Sequence, residues 1–491
     1  FVPRGRGGTA LWPGDCAGPM AALLRARAKP PRLEMILQAA RLAAARGQEA
    51  SLLAQPTWRD MLRSVQKLEK PPPEKFIGCL SEILSAALQA RQSRELLESD
   101  AFSAFLRRLS ARLFGFSGRD TYLILASLLK APSSTLSCAV IASCLELLQE
   151  EVAELDDTQL GHVALLLARA GEACLGEVAQ HAANGLRTAC VAELIVRLPR
   201  LGAKGLCLAA AGLARGRQHC DVPLLQSMGE AGVRHLESLS PEQLSGLMFS
   251  LASLSYRDDV LFSVGAAQLG AMADELGPRQ VSVGLLSLAM VGVSDACKTG
   301  LAVLRQQSTD MAHFASPEEA LHALRALCAL HDFAADRVLP LVAQVCRAPR
   351  SSFADADDKG LHQVALSLLH EPTAAGALSA VRADPDLWEG CYQPEEVPGE
   401  AGSEAVDDVG AAAFVEVFAK DRGWVATKNA SLGGFYRASV LLELPQGRVV
   451  VDVDPDAQPW LALPADIWRS LKHRHLSLWG FEVFWVKRSE W

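Results

Sequence analysis

The chain has 491 residues, a formal net charge of −8 and 50% hydrophobic residues, with aromatics at only 6%. That length exceeds one ordinary core, and a composition rich in Leu and Ala favours helices over sheets. The acidity excludes tight, sequence-independent binding of nucleic acid over the whole surface, so any such contact is expected to be local.

Residues 1–32 read as a basic arm, Pro- and Gly-rich and extended. From Phe1 to Gln48 the chain carries Arg4, Arg6, Arg25, Arg27, Lys29, Arg32, Arg41 and Arg46 against only Asp15 and Glu34. That is the composition of an organellar presequence or its remnant, and equally of an ordinary basic arm. Two helical stripes follow: Leu33, Ile36, Leu37, Ala40 and Ala44, then Trp58, Leu62, Val65 and Leu68. Pro71-Pro72-Pro73-Glu74 breaks the chain before a new helix.

The sequence then repeats itself. Units begin at Leu239 (LSPEQLSGLMFSLASLSYRDD), Leu276 (LGPRQVSVGLLSLAMVGVSDA) and Ala315 (ASPEEALHALRALCALHDFAA), with Pro241, Pro278 and Pro317 spaced by 37 and 39 residues. Weaker copies begin near Phe116, Leu155, Leu201 and Asp357. Each has a start signal, an amphipathic helix, a polar turn and a second helix. A two-helix unit cannot bury its apolar face alone, so residues 33–382 are expected to stack as an α-solenoid. Ala252, Ala289 and Ala326 recur at one position of the first helix, where small residues let helices approach closely. The longest apolar run, Val281 to Val293, is shorter than the roughly 20 residues a membrane span needs, so no span is expected. Arg197, Arg200, Lys204, Arg215 and Arg217 form the densest basic cluster of the repeats, a phosphate contact or a solvated loop face. The twelve cysteines stand singly without C-x-x-C, which points to buried free thiols such as Cys138, Cys144, Cys207 and Cys328 in a reducing compartment.

Residues 383–408 read as an acidic linker, holding Asp384 to Asp408 without Lys or Arg. Residues 409–491 read as a small α/β domain. It opens with a helix over about 411–421. A hairpin follows from Tyr436 to Leu444 and Arg448 to Asp454, turned at Pro445-Gln446-Gly447. A helix comes next with Trp468, Leu471, His475 and Leu478 on one face, then Gly480 as a left-handed cap and a strand from Phe481 to Val486.

Lys472-His473-Arg474-His475-Leu476, Gly480-Phe481 before Val483 and Val486, and the closing Glu490-Trp491 carry a resemblance. The segment from about Phe435 to Trp491 resembles the RAP domain, in the version found in the Fas-activated serine/threonine kinase family of mitochondrial RNA factors. The repeats look like the octotricopeptide or heptatricopeptide repeats of organellar RNA factors. The resemblance implies a restriction-endonuclease-like fold for the last domain and an organellar RNA role. The sequence departs from the family's acidic loop: Asp452-Val453-Asp454 runs into Pro455-Asp456, and Pro459-Trp460 stands where His-Phe is expected.

Positive groups meet phosphates, so the RNA-binding candidates are Arg469, Lys472, His473 and Arg474 with Arg437, Arg448, Lys487 and Arg488 around them. Trp460 or Trp485 would stack on bases if exposed. No cofactor, metal site or catalytic set is expected, because Asp452 and Asp454 alternate to opposite faces of one strand and no E-x-K follows. The expected function is that of a non-enzymatic RNA-associated protein of the mitochondrial matrix, with the plastid stroma as the alternative. It would be a constituent of the organellar ribosome or an RNA maturation or translation factor. Its partners would be RNA and ribonucleoprotein proteins. A metal-dependent ribonuclease and a pure protein-interaction scaffold are the rival readings.

Overall fold

The computed structural model describes residues 58–66, 77–78, 80–84, 87, 93–129, 135–172, 177–216, 222–292, 295–312, 315–346, 348, 355–384, 415, 417, 419–432, 436–454 and 467–487. The basic arm, the 33–46 stripe, the Pro71–Glu74 break, the linker beyond Asp384 and the Pro455 to Trp460 segment lie outside them. The chain falls into two compact units, one of Phe1–Arg112 with Lys130–Pro132 and one of Leu113–Leu129 with Ser133–Trp491.

In the first unit, helix α1 is Trp58–Gln66, α2 Ser93–Glu98 and α3 Asp100–Ser110. Ser99 caps α3 by accepting the Phe102 N–H at 3.2 Å, and Phe102, Phe105, Leu106 and Leu109 turn inward.

The second unit is mostly helical. Its helices are α4 Gly118–Leu128, α5 Thr135–Glu150, α6 Asp157–Glu172, α7 Glu177–Arg197, α8 Ala203–Arg215, α9 Val222–His235 and α10 Pro241–Ser253. Then come α11 Asp259–Ala271, α12 Pro278–Val291, α13 Lys298–Asp310, α14 Pro317–Ala329, α15 Ala335–Cys346, α16 Asp355–His370 and α17 Ala375–Arg382. The even-numbered helices from α4 to α16 pack each on the next in one layer. Odd-numbered helices form a second row: α5 packs on α7, the Leu198–Arg200 turn after α7 meets α9, and α9, α11, α13, α15 and α17 pack each on the next. All seven repeat copies in the sequence, weak ones included, open an even-numbered helix.

Local chemistry explains why the copies start there. Ser117 and Asp120, Asp156 and Gln159, Ser240 and Gln243, and Ser316 and Glu319 form reciprocal side-chain-to-backbone bonds, satisfying two orphan donors at each helix start. Pro241, Pro278 and Pro317 occupy first-turn positions, where the missing N–H costs nothing. Just before each cap, Phe116, Leu155, Leu201, Leu239, Leu276 or Ala315 is buried. The ends repeat as well. Ser255, Gly292 and His331 take positive φ of 60°, 76° and 54°, at the same 37- and 39-residue spacing as the prolines. At two of them a paired closure follows: Ser255 N–H to Ala252 O with Tyr256 N–H to Leu251 O, and His331 N–H to Cys328 O with Asp332 N–H to Leu327 O.

Glycines, which the sequence reading did not single out, also bring helix backbones close together. Ala252 and Ala326 are buried and Ala289 is half-buried. Between α6 and α8, however, a Cβ on Gly212 would stand 2.4 Å from the Ala164 carbonyl carbon, and one on Gly205 2.8 Å from Asp157 O. Backbone meets backbone there.

The unit ends in a four-stranded mixed sheet of β1 Val425–Leu432, β2 Tyr436–Leu444, β3 Gly447–Asp454 and β4 Glu482–Lys487, in the order β1-β2-β3-β4. β1, β2 and β3 are antiparallel neighbours, and β3 pairs in parallel with β4 across helix α18, Ile467–Leu478. The hairpin and the last strand stand within a residue of the expected places and α18 ends as expected at Leu478; the expected helix start at Pro464 lies outside the described residues. Strand β1 was not expected: it is a polar edge strand with exposed Lys428 and Asn429, and carries little apolar alternation. One cluster joins Leu432, Tyr436, Ala438 and Val450 to Leu476 of α18 and Leu366 of α16; the other joins Val440, Leu442, Val449 and Val451 to Val415 and Ala419. The changeover on β2 falls at Ser439, whose N–H leaves the ladder for Asp452 Oδ1, opposite Asn429 with φ 49°.

Gly480 has φ 83°, with its N–H on Ser477 O and the Phe481 N–H on Leu476 O, both at 3.0 Å. An added Cβ there meets no neighbour within 4 Å, so the cost of a valine begins with backbone strain, at least about 1 kcal/mol. Gly480→Val should therefore speed hydrogen exchange in α18 and β4; unchanged protection would show that the turn tolerates a β-branched residue. Among the described residues no single helix is long and apolar enough to cross a membrane.

Candidate nucleic-acid interface

Helix α18 carries half of the candidate residues, and its two faces meet different partners. It lies on β4 along one side and on α12, α14 and α16 along another. Lys472 shares the inward side with Leu471 and Leu476. Its Nζ stands 2.8 Å from Asp452 Oδ2 and also donates to Arg437 O, and the side chains are 9% and 4% exposed. Asp452 Oδ1 accepts the Ser439 N–H at 3.0 Å. The charge expected to meet phosphate is thus spent inside the domain. The cause is the β3 carboxylate under the helix, which spacing along α18 does not reveal.

Arg474 is also committed. Its guanidinium donates to Cys328 O at 2.6 Å and to Ala329 O at 3.5 Å, meets His331 Nε2 at 3.0 Å, and forms an ion pair with Glu371. Those carbonyls close α14, where the helix dipole favours a cation. His475 is 0% exposed. Burial, then Arg474 and His370, push its pKa down to about 3, so the ring is neutral. Ser367 spends its hydroxyl proton on Gln363 O at 2.9 Å, so it accepts from His475 Nε2 at 2.9 Å. Nδ1 then accepts from the Tyr436 hydroxyl at 2.7 Å. Trp479 stands edge-on to His370, centroids 5.5 Å apart, and extends the same seam.

The other candidates are more open. His473 is half-buried, with its Nδ1 accepting from Trp485 Nε1 at 3.0 Å, and burial lowers its pKa against the opposing pull of Asp452. Arg448 is exposed with its guanidinium 4.4 Å over the Phe481 ring, and Arg437 is half-buried. Arg469 and Lys487 have described backbones in α18 and β4 but not described side chains; Arg488 and Trp460 lie outside the described residues. Trp485 is half-buried rather than presented freely.

The basic cluster of the repeats does not assemble as one surface. Arg197 is buried and ties the end of α7 to the turn before α6, donating to Leu155 O at 2.5 Å and Ala153 O at 2.7 Å beside Glu193 at 2.6 Å. The staple recurs one repeat later, with Arg234 on Leu198 O and His235 on Leu201 O. Arg200, Lys204 and Arg215 are exposed, and Arg217 lies outside the described residues.

Glu443 sits opposite Arg448, at the turn end of the hairpin, far from Asp452. Asp454 pairs in register with Lys487. Among the described residues no group of three His, Cys, Asp or Glu is placed to hold a metal ion. The described cysteines are free thiols: Cys144 and Cys328 are buried and Cys138 and Cys207 half-buried, and burial pushes the Cys144 and Cys328 thiols up to about 12.

Sequence reasoning passed over Glu371 and Ser367. A signal existed for Glu371: an acid just after a helix, where the dipole disfavours it, calls for a cation from elsewhere. No protein-family model matches this chain, and no curated protein matches it significantly.

Proposed function

We propose that this chain is a non-enzymatic RNA-associated protein of an organelle, the mitochondrion first and the plastid as the alternative. It works as a constituent of the organellar ribosome or as an RNA maturation or translation factor. In this reading the helix pairs are an octotricopeptide-like solenoid and the terminal unit is a RAP-like domain of endonuclease-like frame. The observation that carries the reading is the conjunction of seven similarly placed first helices side by side in one layer with a β-β-β-α-β unit docked at their end. The resemblance of Lys472 to Leu476 and Gly480-Phe481 to the RAP motif supplies the RNA role.

Of the terminal-domain candidates whose side chains are described, Arg448 is the exposed cation, and Arg469 is kept from the sequence reading as its partner on α18. Arg448→Ala with Arg469→Ala should weaken RNA binding and flatten the log–log salt slope by about 1.4, the release of two counterions from a single strand. An unchanged slope would remove this face from the interface. In organelle extract, the tagged chain should crosslink to RNA under ultraviolet light and sediment with ribosomal subunits or a smaller ribonucleoprotein. Sedimentation free of RNA would favour the protein scaffold.

A further inference from the structure

The seam between α18 and the repeat helices is built around one imidazole that the RNA reading does not use. We propose that this seam is an acid-released latch, in which protonation of His475 detaches the terminal α/β unit from α14 and α16. The geometry leaves no place for the proton. Nε2 already donates to Ser367, Nδ1 accepts from Tyr436, and no solvent reaches the ring.

The charged surroundings are equally set. From α14 and its end come Arg325, Cys328 and His331; from α16 and just beyond it, His370 and Glu371. β2 contributes Tyr436, and α18 itself contributes Arg474. Glu371 is the carboxylate of this set, and it is paired with Arg474 rather than with His475. A second positive charge beside Arg474 would therefore stand uncompensated.

The sign follows from linkage. A histidine held below its free value gives closure its full strength above about pH 6.5, and closure weakens as pH falls toward the closed-state value of about 3. With the open ring titrating normally, the closing constant falls about fourfold by pH 6 and about 30-fold by pH 5 relative to pH 8.

Hydrogen exchange of the full chain, corrected for the intrinsic pH dependence, tests this. Protection in α18 and α16 should drop about 30-fold between pH 8 and pH 5 while α10 holds. His475→Gln should remove most of that dependence, and Arg474→Gln should lower protection at every pH without removing it. If His475→Gln does not fold, His331→Gln and His370→Gln decide the matter: His331, itself held below its free value by burial and Arg474, removes only a minor share, and most of the wild-type dependence must survive both changes. Equal protection of α18 at pH 8 and pH 5, or a dependence lost with His331→Gln or His370→Gln, would overturn the latch.

Discussion

Gly212→Val is expected to destabilise the second unit by about 3 kcal/mol, the upper end of overpacking costs, because the added Cβ meets the Ala164 carbonyl carbon at 2.4 Å and Leu165 N at 2.5 Å. A flexible side chain could swing away, but two helix backbones cannot. The α6–α8 contact would have to separate, taking with it the burial of Ala209 and Leu213. Gly246→Ala in α10 supplies the opposite sign. A Cβ there meets nothing within 4 Å, so the change should stabilise by about 0.5–1 kcal/mol through helix propensity. Denaturant unfolding of both variants checks the pair. Similar midpoints would mean that close backbone approach does not organise this layer.

Lys472→Met should cost about 3–5 kcal/mol, because it leaves the Asp452 carboxylate buried without its cation. The double variant Lys472→Met with Asp452→Asn should recover most of the loss. The asparagine Oδ1 still accepts the Ser439 N–H, and no unpaired charge remains. Additive losses in the two single variants and the double would show that the ion pair is uncoupled and the lysine solvated. RNA affinity of the refolded double variant should match wild type, since Lys472 does not face outward.

What the sequence made legible was mostly local. The Ser240-Pro241 and Ser316-Pro317 starts carry their partners Gln243 and Glu319 three residues on, so the even-layer helices could be read directly. Gly480 announced its left-handed turn because glycine favours it. Ser255 and His331 hold the same conformation at repeat positions and gave no such sign, since their strain is borne by the surrounding repeat. The side assignment of Lys472 was harder. Its i+4 neighbour Leu476 hinted that it points inward, but the deciding partner, Asp452, sits on another strand. Arg474 was harder still, because Glu371 and the α14 carbonyls lie more than a hundred residues earlier. Charge runs identify a basic helix; only the tertiary fold says which of its charges remain for a partner.

The most direct measurement mixes the purified full chain with labelled single-stranded RNA, at low and physiological salt, with and without Mg²⁺, and follows binding and RNA length together. The expected result is salt-sensitive binding with the RNA intact under every condition. Mg²⁺-dependent shortening of the RNA that disappears in Asp452→Asn, or no binding even at low salt, would contradict a non-enzymatic RNA-associated protein.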